Sequence, residues 1–177
     1  RDDVESRGLG DVYKRQGLLT GLALLTAGAG VVTAQVLVVP RSGWSPGKLL
    51  RVGATTAAAG FVVLIPETSS VPLTTALLYA GVTVVAVGMG TATPGFTAGA
   101  SLQVTQAEQG GVAGLVTATM GLTMVVAPTL GTVLYGVGTS VPVAAGAAVT
   151  AAVAVCTVIS PRLRTSAKTG GPSIREA

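Results

Sequence analysis

The sequence predicts an all-α membrane protein, a bundle of five transmembrane helices. Three observations carry this. Between Glu67 and Arg162 there is one charged residue, Glu108. That stretch divides at its own turn residues into Val71–Leu102, Gly111–Tyr135 and Val141–Ser160, and a helix crosses the hydrocarbon core with roughly 20 apolar residues. Charged residues make up only 10% of the chain, against roughly 25% in ordinary soluble domains, and the mean hydropathy is +0.69. Soluble helices of this length carry a charged outer face, and none is present here.

Composition also excludes whole classes of chemistry. There is one cysteine, Cys156, and no histidine. No intrachain disulfide can form, and the usual ligands of zinc, haem and copper are missing, as is the commonest general base. No Ser/His, Glu/His or paired-Asp constellation stands ready to activate water or a nucleophile. The expectation is therefore no enzyme, with no catalytic, cofactor-binding or metal-binding residue. The net charge of +4 follows membrane topology and is no nucleic-acid footprint.

Taken in order, residues 1–16 stand apart. They hold four of the 11 Lys/Arg and four of the 7 Asp/Glu, with no apolar period. The string GDVYKRQ resembles a translated sequencing-adaptor scar. The segment is set aside as artefactual or non-native, and the chain is expected to be a fragment truncated at its N-terminus. The first span is Gly17–Val39, stopped by Pro40. Gly17/Gly21 and Gly28/Gly30 give it a small-residue face. Gln35, its most polar member, is expected to hydrogen-bond across helices. Arg41–Lys48 reads as a short loop. Ser45 and Pro46 stand as N-cap and first residue of the next helix, and Trp44 is an interfacial anchor. The second span is Leu49–Ile65, closed by Pro66.

Glu67–Ser70 is a tight loop without Lys or Arg. Ser70 and Pro72 open the third span, 71–102, which is longer than a bilayer requires. Pro94 has no N–H for the carbonyl of Gly90, so a kink is expected there, with Thr91 and Thr93 re-satisfying freed backbone groups. Thr105 to Glu108 has the S/T-x-x-E form of a capping box. The fourth span, 111–135, follows. Ser140 and Pro142 start the fifth, 141–160. The basic tail, 165–177, is expected to be disordered. Gly95/Gly99 and Gly110/Gly114 are further small-residue faces.

Loop parity sets the topology. The Arg41–Lys48 loop, the loop holding Glu108 and the tail share one side. The loops on the other side hold no Lys or Arg. The positive-inside rule puts the first side, with the C-terminus, in the cytoplasm.

The order of features then resembles the C-terminal part of a major facilitator superfamily transporter of the drug:proton antiporter branch. It runs as a span, a basic loop W-S-P-x-K-L-L-R, a span, a tight outer loop, a long Gly/Pro span, Q-G-G-V-A-G-L, a span with A-P-T-L-G, an outer loop, a span and a basic tail. The resemblance covers Gly17 to about Arg164 and implies transmembrane helices eight to twelve. It departs from the family's G-x-x-x-D-R-x-G-R-R loop pattern, of which only the basic part survives as Arg41, Lys48 and Arg51. The resemblance implies proton-driven efflux of small amphiphilic or drug-like compounds and a multi-pass location in the inner (plasma) membrane. It implies as partners the lipid bilayer, a small-molecule substrate and the missing N-terminal half of the same transporter. Spans one, three and four would face the cavity, and two and five would be peripheral. The alternative is a non-transporting membrane subunit or anchor packed with a partner protein.

Single residues carry both a sharp and a plain reading. Gly90, Pro94 and Gly95 form either a moving hinge or a static kink. Met120 and Met124, one turn apart, form either a soft patch for apolar substrates or ordinary packing. Arg41, Lys48 and Arg51 set topology and meet lipid headgroups, or lock against the N-terminal half. Glu108 caps a helix rather than gating ions. Tyr79 and Tyr135 line a cavity or pack. No acidic or basic residue lies in the middle of a span, so a proton-coupling group is expected in the missing portion.

Overall fold

The computed structural model describes residues 2–65 and 70–159, the side chains of 2–13 and 15 apart. In chain order come α1 (Asp2–Thr33), a π-helical turn (Ala34–Val38), α2 (Val39–Ser42), α3 (Pro46–Leu64), α4 (Val71–Ser101), α5 (Gln109–Val137) and α6 (Val141–Ile159). Five stretches are long and apolar enough to cross a membrane: Gln16–Ser42, which joins the end of α1 to α2, and each of α3 to α6. The described chain is all-α, with the helices of a multi-span membrane protein. At 1.5 Å per residue the 19 residues of α3 reach about 28 Å, close to the ~30 Å hydrocarbon core. The 31 residues of α4 reach about 46 Å, so α4 must tilt or project.

The first span differs from expectation at both ends. Its helix begins at Asp2, so the backbone of the polar segment is continuous with the span. Pro40 does not end it. The ring of Pro40 would crowd the carbonyl of Val36 in a regular helix. The chain widens instead, so that the Val39 N–H reaches back to the Ala34 carbonyl, and the helix then resumes through Ser42. Gly43, at φ +56°, closes α2 in the left-handed region that glycine tolerates. The loop expected over Arg41–Lys48 is therefore only Gly43–Ser45. Arg41 lies in the last turn of α2, while Lys48 and Arg51 ride on the first turns of α3.

Helix starts follow their signals more closely. Ser45 is the N-cap of α3 with Pro46 first inside, although its hydroxyl makes no capping bond; its carbonyl accepts from Lys48 N (2.9 Å) and Leu49 N (3.0 Å). Ser70 caps α4 with Pro72 in the first turn. The Ser140 carbonyl accepts from Ala144 N at 3.0 Å, at the start of α6. Pro66–Ser69 and residues 160–177, with the expected tail and the end of the fifth span, lie outside the described residues.

Packing centres on α3 and α4, an antiparallel pair whose small residues meet every seven positions. Pro46, Gly53 and Gly60 on one helix face Gly95, Gly88 and Gly81 on the other. A methyl group added at Gly88 would strike the backbone nitrogen of Ala57, and one at Gly60 would sit 2.6 Å from the nitrogen of Val85. The two backbones are in contact, which only glycine permits at these points. Helix α1 runs parallel to α4 on another face. There Gly90 meets Val31 and Ala34, Gly30 meets Thr83 and Ala86, and the Tyr79 hydroxyl donates to the Leu19 carbonyl at 2.8 Å. Helix α6 lies antiparallel to α3, with the Phe61 ring over Gly146. Helix α5 buries no residue at all.

Candidate functional site

Four helices line an open apolar cavity of about 310 Å³. Helix α3 supplies Leu50, Ala54 and Ala57; α4 supplies Met89, Thr93 and Phe96; α5 supplies Met120; α6 supplies Thr150 and Val153. The spacing explains the lining. Met89, Thr93 and Phe96 fall at i, i+4 and i+7, one face of a helix. That face adjoins the Gly88/Ala92/Gly95 seam, whose glycines draw α3 close enough to form a second wall. The two hydroxyls in the lining are already spent. Thr93 donates to the Met89 carbonyl at 2.8 Å and Thr150 to the Gly146 carbonyl at 2.7 Å. The wall therefore offers no free hydroxyl donor, and among its residues none is charged. Such a cavity suits an apolar body, and its volume lies at the lower end of the range of small-molecule pockets.

The expected site residues are partly gathered here. Met120 lines the cavity, whereas Met124, 81% exposed, does not. Pro94 sits inside α4 between Thr93 and Phe96, both of which reach the cavity. Gly90 and Gly95 are packing contacts on opposite partners: Gly90 lies against Val31 of α1 and Ala34 of the π-helical turn, Gly95 against Pro46, Leu49 and Leu50 of α3. Thr91 and Thr93 do not take up the carbonyl that Pro94 leaves free. They donate to Val87 and Met89, each four residues back, and not to Gly90. The lining draws on spans two to five and on none of span one, unlike the division into cavity-facing and peripheral spans that the resemblance implied. Tyr135 is exposed, Tyr79 is tied to α1, and Gln35 is exposed within the π-helical turn. Residue-level reading missed Met89, Phe96, Ala54 and Thr150. The helical spacing around Pro94 was the available signal for the first two.

The basic end is a second feature. The Lys48 ammonium stands 4.6 Å from the centre of the Trp44 ring, a cation–π contact. The Nε of Arg51 is buried without a hydrogen-bond partner. Trp44 itself is held by the turn: its N–H donates to Ser42 Oγ at 3.4 Å, and Ser42 Oγ donates to the Val39 carbonyl at 3.0 Å. The side chain of Glu108 makes no capping bond to α5, contrary to expectation. The residue is itself the N-cap of α5. Its Oε2 accepts from the Thr105 hydroxyl (2.8 Å) and the Thr105 N–H (3.1 Å). Those two donors hold its carboxyl below the ordinary 4.5, the hydroxyl contributing most.

Among the described residues no group of three or more His, Cys, Asp or Glu is placed to hold a metal ion. Compared with protein-family models, with curated proteins and with solved structures, the chain matches none of them.

Proposed function

We propose that this chain is part of a multi-pass secondary active transporter, of the kind that expels small amphiphilic or drug-like compounds at the expense of a proton gradient. The observation that carries the reading is the apolar cavity beside two spans that each carry an internal proline. Pro94 breaks the hydrogen-bond ladder of α4 and Pro128 that of α5, and both helices wall the cavity. Transporter substrate sites lie near the bilayer midplane between packed helices. The cavity's chemistry matches a compound recognised by shape and apolar contact rather than by charge. On this reading α1 with α2 corresponds to helix eight of the major facilitator arrangement, and α3, α4, α5 and α6 to helices nine to twelve. The end carrying Arg41, Lys48, Arg51 and Glu108 is cytoplasmic, as is the C-terminus, in the inner (plasma) membrane. The hinge belongs to Gly90–Gly95.

Coupling to protons needs an ionisable group within the membrane. The five spans carry no acid or base near their centres, Arg51 lying within the first two turns of α3. The coupling group therefore belongs to a part of the transporter other than this chain. The test is reconstitution. Vesicles holding the complete transporter should extrude ethidium when a proton gradient is imposed and stop when a protonophore collapses it. Vesicles holding this chain alone should extrude nothing. Proton-dependent efflux by the chain alone would contradict the reading. Absence of efflux by the complete protein over a broad panel of lipophilic compounds would favour the membrane-anchor alternative.

A further inference from the structure

We infer that the apolar cavity is the deep end of a groove for one extended alkyl chain, and that its ligand is a single-tailed amphiphile whose polar head stays at the basic end of the bundle. The inference deepens the proposed function and rests on it for calling the ligand a transported compound; the groove itself belongs to this chain alone. A second cavity, of about 210 Å³, adjoins the first, and Leu50 and Phe96 line both. It continues along the same two helices, past Gly47 on α3 and past Gly99 and Ala100 on α4 to Gln103. The lining residues recur every three or four positions, from Gly47 to Ala57 on α3 and from Met89 to Ala100 on α4, so each helix offers one continuous face. At 1.5 Å per residue these faces are about 15 and 16 Å long, half the ~30 Å hydrocarbon core and so one leaflet deep.

Polarity changes along the groove as it does through a leaflet. At the deep end the hydroxyls are spent and no lining residue is charged. A polar group carried there would lose water and gain no partner. At the mouth stands the exposed side-chain amide of Gln103, the one polar side chain that lines it, whose Nε2 donates to the Gly99 carbonyl at 3.3 Å. Because α3 and α4 are antiparallel, Gly47 and Gln103 share the end that carries Lys48. Glycine keeps this mouth open. A methyl group at Gly95 would strike the α3 backbone, so packing accounts for that glycine; at Gly99 it would meet only Pro46 Cβ at 3.8 Å, an ordinary contact. Lipid tails are as apolar as these walls, so fit selects the occupant rather than hydrophobicity. Unfilled walls lack dispersion partners, and an extended chain supplies them. The mouth is lined by α3 and α4 alone, and the deep end also by α5 and α6. A single tail passes from the one to the other, whereas a two-chain lipid would have to part its chains around α5 and α6.

Photolabelling tests this. The chain is reconstituted in phosphatidylcholine vesicles with a straight-chain fatty alcohol that carries a photoreactive diazirine at its last carbon, and labelled residues are read by peptide mass spectrometry. The bilayer is itself the competing lipid. Labelling is expected at Met89, Phe96 or Met120. Excess unlabelled alcohol should abolish it there while sparing the label on Met124, which is 81% exposed and outside the groove. A diazirine beside the head group should move the label to Ala100 and Gln103. Gly99→Leu, which fills the mouth without meeting the α3 backbone, should lower labelling of Met89 several-fold and spare Met124. Gly114→Leu should change neither. Equal competition at Met89 and Met124, or unchanged labelling of Met89 in Gly99→Leu, would overturn the groove. Equal labelling of Met89 by a phosphatidylcholine with the same terminal diazirine would overturn the single-tailed compound as its ligand. The labels are read without a proton gradient, so they stand or fall apart from efflux by the complete transporter.

Discussion

Helices α4 and α5 are alike in sequence and opposite in structure. Each is about thirty residues of Val, Leu, Ala, Gly and Thr with one internal proline. On α4, Gly81, Gly88, Gly90 and Gly95 are all buried, and an added methyl group at any of them meets a neighbouring helix. On α5, a methyl group added at Gly110, Gly114, Gly121 or Gly131 would meet nothing within 4 Å beyond its own helix backbone among the described residues. Glycine content is therefore no measure of packing in a membrane. A helix partner pulls two backbones together only if it is small at the matching positions. Helix α3 meets that condition with Pro46, Gly53 and Gly60, stepping by seven against the steps of α4. No described helix offers the same to α5. Contact without a driving force from water depends on that close fit, because lipid tails are as apolar as the side chains.

The largest effect should come from breaking the seam while sparing its counterpart. Gly88→Leu should destabilise the folded chain by about 3 kcal/mol or more, since the obstacle is the α3 backbone and no flexible side chain can move aside. Gly114→Leu, with open space around it, should change stability by less than ~0.5 kcal/mol. Unfolding in mixed micelles checks both, and equal effects would end the contrast. Pro94→Ala comes next. It restores an N–H to the Gly90 carbonyl, so membrane insertion should survive, while transport by the complete protein should fall several-fold if Gly90–Gly95 is a hinge. An unchanged transport rate would reduce Pro94 to a packing feature.

A smaller effect belongs to the link between α4 and α1. Tyr79→Phe removes the hydrogen bond to the Leu19 carbonyl and should cost about 1 kcal/mol in the same unfolding assay. The smallest concerns Glu108 at the start of α5. Its folded-state carboxyl lies below the ordinary 4.5. Its contribution is therefore complete above that value and is lost as pH falls through the lower, folded-state value. Protection of the Thr105 amide from hydrogen exchange should fall on acidification in the wild type and be low at every pH in Glu108→Ala, which removes its acceptor. A wild-type amide indifferent to acid would contradict the Thr105–Glu108 contact.

The helix punctuation was legible because local chemistry decides it. Ser45–Pro46, Ser70–Pro72 and Ser140–Pro142 open helices where the sequence placed them. Length and hydropathy located all five spans to within a few residues. Pro40 misled, because one extra residue in a π-helical turn lets the helix pass a proline that a regular turn would not accommodate. The pairing of α3 with α4 was not legible either. Its spacing of seven is present in each helix, but the same glycines on α5 find no partner, and a one-dimensional pattern does not say which stripes meet. The cavity was half legible. Met120 and the surroundings of Pro94 were picked out, while Ala54 and Thr150 become lining residues only through the packing of α3 and α6 on α4.

The central claim is that the chain crosses the bilayer with its basic end inside. Cysteine accessibility tests it most directly. In a Cys156→Ser background, single cysteines are placed at Ser42, Ser69, Thr139 and Ser173, and intact cells are treated with a membrane-impermeant thiol reagent. Labelling is expected at positions 69 and 139 and only after lysis at 42 and 173. Labelling of 42 or 173 in intact cells would contradict the account.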